Sequence, residues 1–125
     1  MAKYSGLRAL VVEDEGGVAL LLEDMLEELG CEVAASVPTL DKALTAATAQ
    51  RFDIAVLDVN LDGQLVFPVA EILQRQSLPF VFSTGYGPVG VPKPFNEYEV
   101  LSKPFTKEEL ERKLRSALRK SLRTA

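Results

Sequence analysis

Two hydrophobic rhythms alternate along this chain. Short, nearly unbroken apolar runs mark buried strands, and stretches where apolar residues return every three or four positions mark helices. Arg8-Ala9-Leu10-Val11-Val12 is the first run, closed by Glu13-Asp14-Glu15-Gly16. Val18, Leu21, Leu22, Met25, Leu26 and Leu29 then describe a helix stopped by Gly30. Glu32–Val37 reads as a second strand, and Thr39 as the N-cap of a helix with Leu40, Ala43, Leu44 and Ala47 inward. Phe52–Asp58 is the third strand, ending on an aspartate. A loop through Gly63 leads to a helix around Pro68–Gln76, with Pro68 in its first turn and Ile72 and Leu73 inward. Pro79–Thr84 is the fourth strand, ended by Gly85, and Tyr98–Ser102 the fifth, closed by Lys103-Pro104. Thr106 caps a last helix carrying Leu110, Leu114, Ala117, Leu118 and Leu122.

Strands that alternate with helices and are apolar almost throughout imply an α/β fold, a parallel sheet covered on both faces. Five such strands with right-handed crossovers suggest the flavodoxin-like, doubly wound order 2-1-3-4-5. The rhythm breaks once. Between Gly85 and Asn96 lie Gly87, Gly90, Pro88, Pro92 and Pro94 without a helical period. Proline clashes inside a helix and glycine weakens it, so the fourth helix is expected to be short or replaced by a loop.

Composition narrows the chemistry. The 125 residues suit one domain, expected to occupy positions 1–125 with no output domain. No apolar run approaches the roughly 20 residues a membrane helix needs, and Met1–Gly6 shows no secretory signal. A single cysteine, Cys31, forms no internal disulfide and fits a cytoplasmic protein; its bland reading is a small buried residue after a helix. The net charge of −4 gives no overall footprint for nucleic acid. Locally, Lys107, Arg112, Lys113, Arg115, Arg119, Lys120 and Arg123 outnumber Glu108, Glu109 and Glu111. They read as a solvated helix face with cations toward the C-terminus, or as a docking face for an acidic partner. Histidine is absent, which excludes His-dependent triads, His metal sites and a phosphohistidine carrier.

In a parallel sheet the C-terminal strand ends share one edge, where ligands bind. Glu13 and Asp14 close the first strand here, Asp58 the third, Thr84 the fourth and Lys103 the fifth. Each has an ordinary explanation when taken alone: acids favouring a helix N-terminus, a turn aspartate beside Asp62-Gly63, a strand-end threonine, a solvated lysine. Their convergence on one edge argues for more. Three crowded carboxylates raise one another's pKa unless a positive charge sits among them, and hard oxygens without Cys or His suit Mg²⁺. A carboxylate can attack phosphorus to give an acyl phosphate, with Lys103 and the Thr84 hydroxyl as donors to its oxygens.

Val11-Val12-Glu13-Asp14-Glu15, Leu57-Asp58-Val59-Asn60-Leu61-Asp62-Gly63, Ser83-Thr84-Gly85 and Lys103-Pro104-Phe105 together resemble the response-regulator receiver family of two-component phosphorelay signalling. The resemblance spans essentially the whole chain. It implies that Asp58 is the phosphorylated aspartate, and that Asp14, Glu13 (through water) and the backbone carbonyl of Asn60 complete a Mg²⁺ site with it. It further implies that Thr84 is the switch hydroxyl, that Lys103 pairs with the phosphoryl group, and that the Lys103–Pro104 bond is cis. Two features depart from the common pattern. An aromatic three residues before the lysine often reports the switch, but that position is Val100, leaving Tyr98 or Tyr86 as substitutes. Pro79–Gly87 is similar to a subgroup reading Pro-Phe-x-Phe-Ala-Thr-Gly-Tyr-Gly, with Ser83 in place of alanine. That subgroup tends to lack a regular fourth helix, and its members often stand alone.

The implied partners are a histidine kinase or histidine phosphotransfer protein and a downstream protein target, with no direct nucleic acid and no membrane. On this reading the chain is not an enzyme beyond catalysing its own phosphorylation and dephosphorylation. A phosphorylation-independent scaffold of receiver fold is the alternative. A Mg²⁺-dependent phosphohydrolase is disfavoured because position 60 is Asn, where such enzymes carry a second acid, and because no segment is long enough for a cap. A flavin or nucleotide binder is disfavoured because an acidic turn follows the first strand.

Overall fold

The computed structural model describes residues 4–85 and 91–124, with side chains described up to Lys120. Among the described residues seven strands and four helices follow one another: β1 (Arg8–Val12), α1 (Gly16–Glu28), β2 (Glu32–Val37), α2 (Leu40–Ala49), β3 (Ile54–Asp58), β4 (Asn60–Leu61), β5 (Gln64–Leu65), α3 (Phe67–Arg75), β6 (Phe80–Thr84), β7 (Glu99–Ser102) and α4 (Lys107–Thr124). The five long strands form one sheet in the order β2-β1-β3-β6-β7, every pair parallel. This is the expected order.

Register carries the site. Val12 lies beside Leu57, Asp58 beside Ser83 and Thr84 beside Ser102, so the strand ends finish level with one another. β1, β3 and β6 sit in the middle of the sheet and are buried almost throughout, which is why their sequences read as unbroken apolar runs. Against one face, Leu22 and Leu26 of α1 and Leu110 and Leu114 of α4 pack on Val11, Val56 and Val81. On the other face, Ala43 and Ala47 of α2 and Val69 and Leu73 of α3 meet Leu10, Leu57, Phe80 and Phe82.

The helix ends carry the expected chemistry. The Thr39 hydroxyl accepts from Lys42 N at 3.3 Å. Thr106 and Glu109 cap α4 reciprocally: Glu109 N donates to Thr106 Oγ1 at 3.1 Å, and Thr106 N donates to Glu109 Oε1 at 3.0 Å. Gly30 leaves α1 at φ +104°, a conformation glycine reaches without a Cβ penalty. Cys31 is buried just beyond it, and burial pushes its thiol pKa up. Among the described residues no helix is long and apolar enough to cross a membrane.

Three features correct the sequence reading. β3 begins at Ile54, not Phe52, because the Asp53 carboxylate accepts the Arg8 backbone N–H at 2.8 Å and takes the place of a ladder bond. Leu21 belongs to the periodic series of α1 yet is exposed: neighbours on a helix point about 100° apart, and Leu22 holds the inward position. The loop through Gly63 contains a small antiparallel hairpin, β4–β5. Asp62 (φ +52°) and Gly63 (φ +91°) supply its two left-handed turn positions.

No helix stands in 91–98, where the chain runs in turns, as expected for that part of the Gly85–Asn96 loop. Rings fill the space beside it. Phe95 stacks on Phe67 with centroids 5.7 Å apart, Tyr98 stacks on Phe80 at 4.1 Å, and Phe82 meets Phe67, Phe80, Phe95 and Tyr98 edge to face. Tyr98 is thus a packing residue of this cluster, and Val100 packs partly buried against the same core. Tyr86 and Leu122 lie outside the described side chains.

Candidate functional site

The strand ends bring the expected polar residues to one edge. Glu13 leaves β1 with its backbone N–H bonded to Val37 O (3.1 Å), and Val59 leaves β3 bonded to Ser83 O (3.0 Å). These bonds hold the acidic turn and the post-Asp58 turn against neighbouring strands. Lys103 N donates to Thr84 O at 2.9 Å, tying the end of β7 to the end of β6. The Lys103–Pro104 bond is cis, as is Lys93–Pro94.

Three carboxylates meet in the space so formed. Glu13, Asp14 and Asp58 each present an oxygen, and these oxygens all lie within 4.8 Å of one another. Glu13 (2% exposed) and Asp58 (5%) are buried, while Asp14 opens toward solvent. Among the described residues one cation answers them. Lys103 Nζ stands 2.8 Å from Glu13 Oε1 and 3.2 Å from Asp58 Oδ2, its own side chain mostly covered. Backbone donors hold the acids in place: Asn60 N to Asp58 Oδ1 at 3.2 Å, and Glu15 N to Glu13 Oε2 at 3.1 Å.

Charge and burial act against each other here. Burial, then hydrogen bonding to Asp14 and Glu13 and the charge of Glu13, push the Asp58 carboxyl up to about 7, against the pull of Lys103. Burial also acts to raise Asp14, but hydrogen bonds with Asp58 and Glu13, a backbone donor and the Lys103 charge together hold it below the usual carboxylate value. Lys103 is held protonated: burial opposes its charge, but the Glu13 hydrogen bond and the charges of Asp58 and Glu13 outweigh it.

Each residue marked in the sequence is at this edge. Glu13, Asp14, Asp58 and Lys103 are in mutual reach. Asn60 is tied to Asp58 through its backbone N–H, while its side-chain oxygen accepts from Gly63 N at 2.7 Å. Thr84, buried, closes β6 one residue beyond the partner of Asp58. The sequence reading missed the hairpin that follows Asp58, although Asp62-Gly63 is a two-residue hairpin signal.

The response regulator receiver domain family matches residues 9–115. This chain belongs to that family. Receiver domains are signalling modules of two-component systems rather than conventional enzymes. The transcriptional regulatory protein TcrA of Mycobacterium tuberculosis is 36% identical over 125 residues, covering 94% of this chain and 48% of the regulator. The chain spans about half the length of the curated relatives it matches. Among solved structures, SdrG from Sphingomonas melonis Fr1 is 40% identical with a TM-score of 0.82, covering 90% of this chain and 96% of that one. The receiver domain of the PhyR response regulator from Erythrobacter litoralis is 26% identical with a TM-score of 0.79, covering 91% of each chain.

Proposed function

We propose that Asp58 of this receiver domain accepts a phosphoryl group from a phosphohistidine on a histidine kinase or histidine phosphotransfer protein, and that a downstream protein target reads the change. The observation that carries this reading is Lys103 Nζ standing between two buried carboxylates, with a third carboxylate in reach. An ionised Asp58 oxygen attacks phosphorus, and the P–N bond breaks. Its electron pair stays on the imidazole nitrogen, which takes a proton from solvent, and an acyl phosphate remains on Asp58. Lys103 faces the charge that gathers on the phosphoryl oxygens, and the Thr84 hydroxyl donates to another of them.

The donor set fits a hard divalent cation: carboxylate oxygens cluster with no sulfur or imidazole, and carry more negative charge than Lys103 balances. Glu13, Asp14, Asp58 and the Asn60 backbone carbonyl would hold Mg²⁺. The ion, when bound, supplies positive charge to the phosphoryl oxygens and favours the ionised form of Asp58. The domain then catalyses only its own phosphorylation and dephosphorylation, in the cytoplasm, without nucleic acid as a direct partner. Phosphorylation acts on Thr84, and the tie from Thr84 O to Lys103 N carries the change into β7 and the 91–98 segment.

Incubation with acetyl phosphate and Mg²⁺ tests the assignment by intact mass. The wild type gains one phosphoryl group and Asp58→Asn gains none. Labelling of Asp58→Asn at the wild-type stoichiometry would overturn it.

A further inference from the structure

Ser83 is fully buried, yet among the described residues no group hydrogen-bonds its hydroxyl. A buried hydroxyl left this way costs the free energy of its desolvation, and an alanine in its place would carry no such cost. Register fixes where the side chain lies. Asp58 pairs with Ser83 across β3 and β6, and Ser83 pairs with Leu101 across β6 and β7. Two residues earlier Val56 pairs with Val81, and both pack with Leu101 on the face covered by α1 and α4. Side chains alternate along a strand, so Asp58 and Ser83 project from that same face as neighbours. β6 lies between β3 and β7, so the Lys103 side chain crosses the end of β6 to reach Asp58 Oδ2.

Adjacent strands lie about 4.8 Å apart. A serine oxygen one bond from its Cβ and a carboxyl oxygen two bonds from its own close that gap to a hydrogen bond when the serine side chain turns toward β3. In the unphosphorylated chain both Asp58 oxygens are engaged: Asn60 N donates to Oδ1 at 3.2 Å, and Lys103 Nζ stands 3.2 Å from Oδ2. Phosphorylation changes the demand, because Lys103 then faces the phosphoryl oxygens and the carboxyl oxygen it leaves stays buried beside Ser83. We propose that the Ser83 hydroxyl donates to that oxygen of the acyl phosphate and speeds its hydrolysis, so that Ser83 sets the phosphoryl lifetime; this rests on the assignment of Asp58 as phosphoacceptor. In hydrolysis a water oxygen bonds to phosphorus and the P–O bond to Asp58 breaks. Its electron pair stays on the Asp58 carboxylate, the water gives up a proton to solvent, and inorganic phosphate leaves. The transition state is loose, so negative charge gathers on the leaving carboxylate before the new bond is complete. A donor aimed at that carboxylate is worth more there than in the ground state, which is the condition for acceleration.

The test follows loss of the acyl phosphate in the wild type, Ser83→Ala and Ser83→Cys by intact mass. Each chain is loaded with acetyl phosphate and Mg²⁺ and then desalted to remove the donor. Alanine lacks the hydroxyl, whereas cysteine keeps the volume but is only a weak donor. Both variants take label and lose it roughly tenfold more slowly than the wild type. Urea unfolding of the unphosphorylated chains in chelator gives Ser83→Ala a stability equal to or above that of the wild type, as removal of an unpaired buried hydroxyl requires. Equal lifetimes in all three chains overturn the proposal and leave Asp58 as phosphoacceptor. A slow Ser83→Ala beside a Ser83→Cys of wild-type lifetime also overturns it, since volume rather than the hydroxyl would then govern the rate. A Ser83→Ala chain clearly less stable than the wild type does the same, because the hydroxyl would already have a structural partner. A wild type that takes no label sinks the phosphoacceptor reading beneath it.

Discussion

Two lysine–carboxylate clusters lie at opposite edges of the same sheet, and they are built with opposite charge ratios. At the C-terminal edge one cation, Lys103, serves Glu13 and Asp58, with Asp14 beside them. Near the N-terminal edge two cations, Lys120 (2.6 Å) and Lys113 (3.8 Å), serve the single carboxylate of Glu99. Burial acts to raise Glu99, but its hydrogen bonds from Lys120 and Ser116 and the two lysine charges hold it below the usual glutamate value. Asp58 is pushed the other way, to about 7. An ion pair alone does not mark a functional site. A buried excess of one charge is what sets the C-terminal edge apart, because it leaves room for a further cation.

Removing the cation at each edge is the sharpest way to test that contrast. Lys103→Met leaves two buried carboxylates without a counter-charge, and breaking a buried pair in this way costs about 3 kcal/mol at neutral pH. Urea unfolding in chelator should show this loss at pH 7 and a smaller one at pH 5, where Asp58 accepts a proton. A loss under about 1 kcal/mol at pH 7 would mean that Lys103 is not what holds the acids together.

The next effect concerns the acids themselves. The raised carboxyl of Asp58 means that the folded state binds a proton which the unfolded state has already released, so stability falls as pH rises from about 4 to about 7. The depressed carboxyl of Asp14 acts in the opposite sense, contributing above its unfolded value and losing that contribution at lower pH. Asp58→Asn removes the first term. In chelator at pH 7 it should be more stable than the wild type by roughly 1–2 kcal/mol, with a flatter profile between pH 4 and 7. Equal profiles for the two chains would refute the crowding. Mg²⁺ at about a hundredfold its Kd should raise wild-type stability by about 2.7 kcal/mol and Asp58→Asn by clearly less.

The contrast also explains what the sequence disclosed. Glu13, Asp14, Asp58, Thr84 and Lys103 were legible because each ends a strand, and a parallel sheet gathers strand ends whatever their separation along the chain. The central strands were legible because burial on both faces leaves them apolar throughout. The β4–β5 hairpin has two-residue strands, too short for any period to show, and only Asp62-Gly63 hinted at it. Leu21 satisfies a helical spacing as well as Leu22 does, and only packing chooses between them. The ring cluster of Phe67, Phe80, Phe82, Phe95 and Tyr98 joins three separate segments, so no local pattern announces it. It fills space beside the turns of 91–98, with Tyr98 stacked on Phe80.

The smallest effect belongs to the other edge. The Lys120 side chain is half exposed, so its attraction to Glu99 is screened, and Lys113 remains when it is removed. Lys120→Met should cost no more than about 1 kcal/mol, and salt should shrink that cost further. The depressed pKa of Glu99 gives its contribution a definite pH window: present above the unfolded glutamate value near 4.3 and lost as pH falls through the lower folded value. The wild-type and Lys120→Met curves should therefore converge on acidification and run parallel between pH 5 and 8, the range in which Lys103→Met diverges from the wild type. If Lys120→Met instead cost as much as Lys103→Met, the ratio of charges would not be what separates a reactive edge from a structural one.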